Sequence, residues 1–118
     1  WKRELPVSQG AKVHTIGKTG FAICTTIWVE SKDKEHQDAC LLKTDTTGKV
    51  LWRTTYGRTG YDQCFDFDPT PDGGFILAGH TTSHSAGWDA WLVRVDKKGK
   101  MLWEKTFGEP IGGDPKWV

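Results

Sequence analysis

The sequence predicts an all-β protein assembled from stacked repeats, and three observations carry that expectation. The pentapeptide Gly48-Lys49-Val50-Leu51-Trp52 is written again as Gly99-Lys100-Met101-Leu102-Trp103, a spacing of 103 − 52 = 51 residues. Each copy reads as short stretches that are rich in β-branched and aromatic residues or alternate apolar with polar ones, punctuated by glycine, proline and aspartate. No stretch carries the periodicity of an amphipathic helix.

The register extends well beyond the pentapeptide. Asp38-Ala39-Cys40-Leu41-Leu42-Lys43-Thr44-Asp45 aligns with Asp89-Ala90-Trp91-Leu92-Val93-Arg94-Val95-Asp96, and Thr55-Tyr56-Gly57 with Thr106-Phe107-Gly108. Upstream, Gly20-Phe21-Ala22-Ile23 aligns with Gly74-Phe75-Ile76-Leu77 at an offset of 74 − 20 = 54, so the first copy carries extra residues between Phe21 and Asp38. An insertion confined to one place predicts a variable loop there. A repeat near 50 residues with strand patterning inside is the signature of a propeller blade, whose single sheet buries its faces only by stacking on neighbours. The expectation is therefore two complete four-stranded antiparallel blades plus flanking strands, part of a larger or oligomeric β-propeller, since such rings close with about four to eight blades.

In chain order, residues 1–10 read as the outer strand of a preceding blade and a linker, because Trp1 falls on the tryptophan position of Trp52 and Trp103. Residues 11–57 make the first blade. It opens with a weak strand candidate from Ala11 to Ile16, a turn at Gly17 to Gly20 and a strand from Phe21 to Trp28. Ala39 to Thr44 follows as a buried, near-continuous apolar strand. Asp45-Thr46-Thr47-Gly48-Lys49 has hairpin chemistry: an aspartate that can accept hydrogen bonds from the turn backbone, then a glycine where φ is positive. The fourth strand carries Trp52 and ends at Gly57. Residues 58–108 repeat the plan, with Cys64 to Asp68 alternating apolar and acidic, a turn at Pro69 to Gly74, strands at Phe75 to Thr81 and Ala90 to Val95, the turn of Asp96 and Gly99, and the Trp103 strand. Residues 109–118 start a next blade, in which Gly112-Gly113-Asp114 echoes Gly60-Tyr61-Asp62.

Composition excludes more than it assigns. The formal net charge is +1, with basic and acidic residues interspersed, which gives no electrostatic case for nucleic acid or an anionic membrane. No apolar run reaches the length of a membrane-spanning helix. Cys24, Cys40 and Cys64 have no C-x-x-C spacing, which argues against a zinc cluster; they read as small buried residues, and Cys24 and Cys40, flanking the variable loop, are the pair expected to meet if any disulfide forms.

The pattern Leu42-x-x-Asp45-x-x-Gly48-Lys49-x-x-Trp52 resembles the tryptophan-docking motif of propellers with quinoprotein-type (PQQ-like) repeats. The run from Thr55 to Asp62, continued by Gly74 to Ser83, is similar to the beta-propeller repeat of bacterial and archaeal cell-surface proteins. The resemblance implies a ring in which each tryptophan locks one blade on the next, and an extracellular, cell-surface or periplasmic setting; it implies no reaction. Trp52, Trp103, Gly48, Gly99, Asp45 and Asp96 are thus architectural positions, with both tryptophans expected in equivalent buried sites between blades.

Candidate binding residues lie elsewhere. In a four-stranded blade the loop after the second strand and the loop entering the next blade leave the same face, which gathers Arg58, Tyr61 and Asp62 with Trp28, His36, His80, His84 and Trp88. Aromatic rings beside hydrogen-bonding side chains suit a protein or glycan ligand. His80-x-x-x-His84 has neither a helix nor an evident third ligand for a metal, and Asp66, Asp68 and Asp72 lack the ligand ladder of a calcium loop. Ser83, His84 and Asp89 lack a nucleophile elbow. Neither a catalytic site nor a metal or other cofactor is expected. The function expected is a non-catalytic binding or scaffold module for a macromolecule. The alternative is a lectin-like protomer that oligomerises into a ring and binds glycans at blade junctions; a piece of a quinoprotein dehydrogenase is third. Exposed sheet faces at both ends predict association with neighbouring blades or with further copies.

Overall fold

The computed structural model describes residues 2–7, 11–31, 34–84 and 87–108, with the backbone alone at 2–7 and 31. Among these residues there are nine strands and no helix: β1 (Lys2–Val7), β2 (Lys12–Ile16), β3 (Gly20–Ser31), β4 (Lys34–Thr44), β5 (Val50–Tyr56), β6 (Asp62–Pro69), β7 (Phe75–Thr81), β8 (Asp89–Val95) and β9 (Met101–Phe107). The all-β expectation holds, and every ladder between these strands is antiparallel. One sheet runs β2-β3-β4-β5 with β1 added along β3; the other runs β6-β7-β8-β9. The start of the next repeat lies outside the described residues.

The two meanders share a register. Ile27 pairs with Asp38 in the first and Thr81 with Asp89 in the second, at equivalent places in the repeat. Beyond that pair they part. The extra residues of the first copy do not form the loop expected of them: the β3–β4 ladder continues through Trp28↔Gln37 and Val29↔His36 to Ser31↔Lys34. β-Branched Ile27 and Val29 favour the extended backbone that such a ladder needs.

This longer hairpin also reassigns β1. Residues 2–7 pair with β3, through Lys2↔Ser31, Glu4↔Val29 and Val7↔Ile27, instead of joining a preceding sheet. β2 covers β3 only from Gly20 to Cys24, so the outer half of β3 presents an open backbone edge, which β1 fills.

Turn chemistry is reproduced almost atom for atom. Asp45 Oδ1 accepts from Thr47 N (2.8 Å) and Lys49 N (3.0 Å), and Asp96 Oδ1 accepts from Lys98 N and Lys100 N at the same two distances. Gly48 and Gly99 hold φ of 88° and 83°. These donors stabilise the ionised carboxylates and lower both aspartate pKa values, led by the Thr47 hydroxyl at Asp45 and the Lys100 amide at Asp96.

The sheets pack face to face. Ala22, Cys24, Ala39, Leu41 and Tyr56 of the first meet Phe67, Phe75, Leu77, Trp91 and Val93 of the second in one core. Trp52 is half-buried at this junction, its ring 6.3 Å from that of Phe75, and the Tyr56 hydroxyl donates to the Gly99 carbonyl. Trp103 departs from the expected equivalence. Its side of the second sheet has no described sheet packed on it, so the ring is 43% exposed, with the Lys105 ammonium 5.7 Å above it.

The cysteine expectation is also corrected. Cys24 bonds to Cys64, joining the two sheets across the core, and Cys40 is a buried free thiol. Cys24 stands opposite Leu41, and Cys40 opposite Thr25. Because successive side chains alternate faces, this offset of one residue puts Cys24 and Cys40 on opposite sides of the sheet.

Candidate functional site

Two connections build one edge of the molecule: the segment between β5 and β6, and the segment between β7 and β8. They are laced together. Gly60 N donates to Ser83 Oγ (3.0 Å), Tyr61 N to Thr82 Oγ1 (2.8 Å), and Thr82 N returns to the Tyr61 carbonyl (2.9 Å). Beneath them Asp62 is fully buried, accepting from Arg58 N (2.9 Å), Ser83 Oγ (2.8 Å) and the Thr81 hydroxyl. Asp62 was a candidate for ligand contact; its oxygens instead hold the loops together. The Gly57 backbone passes so close that a Cβ there would lie 2.4 Å from Asp38 Oδ1 and 2.7 Å from Asp62 Oδ2. The chain can make this passage only with glycine. The repeat preserves the arrangement at Gly108, whose Cβ would collide with the Asp89 carboxylate.

On this edge the structure brings together four of the eight candidate binding residues. Trp28 meets Tyr61 edge to face (6.1 Å), Tyr61 stacks near-parallel on Trp88 (6.2 Å, 20°), and Trp88 lies against His80 (6.1 Å). Phe65 extends the row, 4.9 Å from His80. Tyr61 is 41%, Trp88 52% and Phe65 41% exposed. Sequence reading missed Phe65 because it was one apolar position in an alternating strand. The β6–β7 register slips between Cys64 and Asp66, a bulge that leaves Phe65 without a partner in the ladder.

The remaining candidates go elsewhere. His36 is buried, its Nε2 3.6 Å from Asp38 Oδ1. Arg58 and His84 converge on Glu104, at 3.2 and 3.1 Å, and the Trp91 indole N–H donates to the same carboxylate (3.0 Å). Burial pushes the Glu104 pKa up, but the hydrogen bonds from Trp91 and Arg58 and the nearby His84 outweigh it and leave the value lowered. His80 and His84 therefore belong to different clusters, and among the described residues no group of three His, Cys, Asp or Glu side chains is placed to hold a metal ion. Ser83 is engaged with Asp62, not with His84. Asp72 caps its turn and pairs with Arg94; the Thr70 hydroxyl, the Gly74 amide and Arg94 bring its pKa down to about 2.

The aromatic row does not follow the repeat. The places of Trp28, Trp88 and His80 are taken in the other copy by Thr82, Gln37 and Thr26. Whatever the blade-like sheet requires of its sequence, it does not require these rings. No helix among the described residues is long and apolar enough to cross a membrane. The sequence matches no protein-family model, and no curated protein is similar to it beyond chance.

Proposed function

We propose that the chain supplies two adjacent blades of a β-propeller that serves as a non-catalytic binding module, with the aromatic row as the surface that receives a macromolecular partner. The observation that carries this reading is the row itself: the exposed rings of Tyr61 and Trp88 beside half-buried Trp28 of the first sheet, next to laced loops, at positions the repeat does not demand. Aromatic side chains with few rotatable bonds give large contact area at low entropic cost, which is why they anchor binding surfaces.

The propeller part of the reading is supported by the outward face of the second sheet. Leu92, Trp103 and Phe107 hold there the repeat positions of Leu41, Trp52 and Tyr56, which the second sheet covers in the first copy. A further blade, or another copy of the chain, fits that face. The deciding experiment probes the chain against arrayed peptides and glycans, with a Tyr61→Ala/Trp88→Ala double variant and a Trp103→Ala control. Ligands should be retained by the control and lost by the double variant. Ligands that bind the double variant unchanged place the contact surface elsewhere and overturn the reading.

A further inference from the structure

We infer that the ligand of the aromatic row is a neutral oligosaccharide chain, laid along Trp28, Tyr61, Trp88 and His80; this rests on the binding-module reading above and names its substrate class. The first support is ring chemistry. A pyranose has one face of C–H groups that packs on an aromatic surface, while its hydroxyls seek uncharged donors and acceptors around the rim. Successive rings here stand 6.1, 6.2 and 6.1 Å apart at interplanar angles of 87°, 20° and 57°, an angled aromatic patch in which the exposed surfaces of Tyr61 and Trp88 can take the C–H faces of a short run of sugars.

The second support is what flanks the rings. Amides and hydroxyls stand among its polar neighbours: the Gln63 side chain donates to Gln37 (2.6 Å) beside Trp28 and Tyr61, and Thr82 and Ser83 belong to the connection that leads to Trp88. Among the described residues, the charge in register with Trp28 is acidic: Glu30 faces Glu35 two residues beyond Trp28↔Gln37, on the same side of the sheet. The Arg58 guanidinium reaches Glu104, and the Asp62 carboxylate is buried beneath the loops. A single-stranded nucleic acid needs a cationic groove beside its stacking platform, and the described residues beside the row, Glu30 and Glu35 among them, form no such groove. A polyproline helix repeats every three residues, roughly 9 Å, which does not match steps near 6 Å. The third support is preorganisation. Gly60 and Tyr61 are tied to Thr82 and Ser83 by three hydrogen bonds over a buried carboxylate, so little ordering remains to be done around Tyr61 on binding.

The test titrates the full chain with cellohexaose, xylohexaose, chitohexaose and mannohexaose, reading tryptophan fluorescence and calorimetry, with decaproline, polygalacturonate and oligo(dT) as comparators. A cooperative thermal melt establishes folding in every arm. At least one neutral hexasaccharide should bind, with affinity insensitive to added salt; Trp88→Ala and Tyr61→Ala should each weaken it by about tenfold or more, and Trp103→Ala should not. Binding of decaproline alone, dependent on Trp88, overturns the glycan assignment and leaves the binding-module reading standing. Binding of polygalacturonate or oligo(dT) alone, lost on adding salt, likewise overturns the neutral-glycan assignment. Glycan binding that survives loss of both Tyr61 and Trp88 overturns both readings, and so does an absence of binding to any probe combined with no ligand on the arrays.

Discussion

The two ends of the sheets have diverged to very different degrees. At one end the turns of Asp45 and Asp96 superimpose in their hydrogen bonding to within 0.1 Å: Gly48 N to Asp45 O is 3.1 Å and Gly99 N to Asp96 O is 3.0 Å, and both aspartate amides donate across the turn at 2.9 Å. At the other end one copy extends a ladder to Ser31↔Lys34, and the other opens into the segment of Thr82, Ser83 and Trp88 after Thr81↔Asp89. A turn whose aspartate accepts two amides of its own backbone is specified by a few neighbouring residues, so it repeats. An edge whose shape is set by longer-range packing is free to change, and there the exposed rings collect.

The strongest way to break the comparison is to cut the bond that holds the copies together. Cys24–Cys64 closes a loop with a sequence separation of 40. Its counterparts are not cysteines, since Cys24 aligns with Ala78, so this staple belongs to the junction and not to the repeat. Replacing both cysteines with alanine should cost about 4 kcal/mol, the chain-entropy value for a loop of this length. Cys40→Ala, which leaves the staple intact, should cost only about 1 kcal/mol. Urea denaturation measures both; equal losses would show that the staple does not hold the sheets.

Next in size is the unequal pair of tryptophans. Trp52→Ala removes a ring packed against Phe75 and the Gly99 turn and should cost about 3 kcal/mol. Trp103→Ala removes an exposed ring and should stay within about 0.5 kcal/mol in the chain alone. If the chain associates through the outward face of its second sheet, the Trp103 loss should rise with protein concentration while the Trp52 loss stays constant.

What was legible in the sequence follows the same division. The turns, the four-strand order and the Phe75–Thr81 strand came from local chemistry, which a short window of residues contains. The partner of Cys24 did not, because it depends on a one-residue register across β3–β4 and on which sheet lies opposite. The extra residues of the first copy predict a loop and pair as strand, since an insertion in sequence does not say whether its backbone will pair. At the site, Trp28, Tyr61, His80 and Trp88 were legible because strand order alone decides which connections share a face. His36 and Asp62 were misjudged because exposure depends on packing, and Phe65 and Glu104 were missed: one is displaced by a bulge, and the other occupies the place of Arg53 in the first copy.

The subtlest test uses the two turns that look alike. Gly48 and Gly99 share the left-handed backbone, so alanine at either position should carry the same intrinsic strain of about 1 kcal/mol. Their surroundings differ. A Cβ on Gly48 meets nothing within 4 Å, whereas one on Gly99 would lie 2.6 Å from Trp52 Cζ3 and 3.0 Å from Thr54 Oγ1. Gly99→Ala should therefore cost about 1 kcal/mol more than Gly48→Ala, the excess coming from displacement of the Trp52 ring. In a Trp52→Ala background that excess should largely vanish, because the ring it displaces is gone. Equal costs for the two glycines in the parent chain would mean that Trp52 yields freely and does not lock the second sheet in place. An excess that survives loss of Trp52 would move the constraint to Thr54 and to the Tyr56 hydrogen bond on the Gly99 carbonyl.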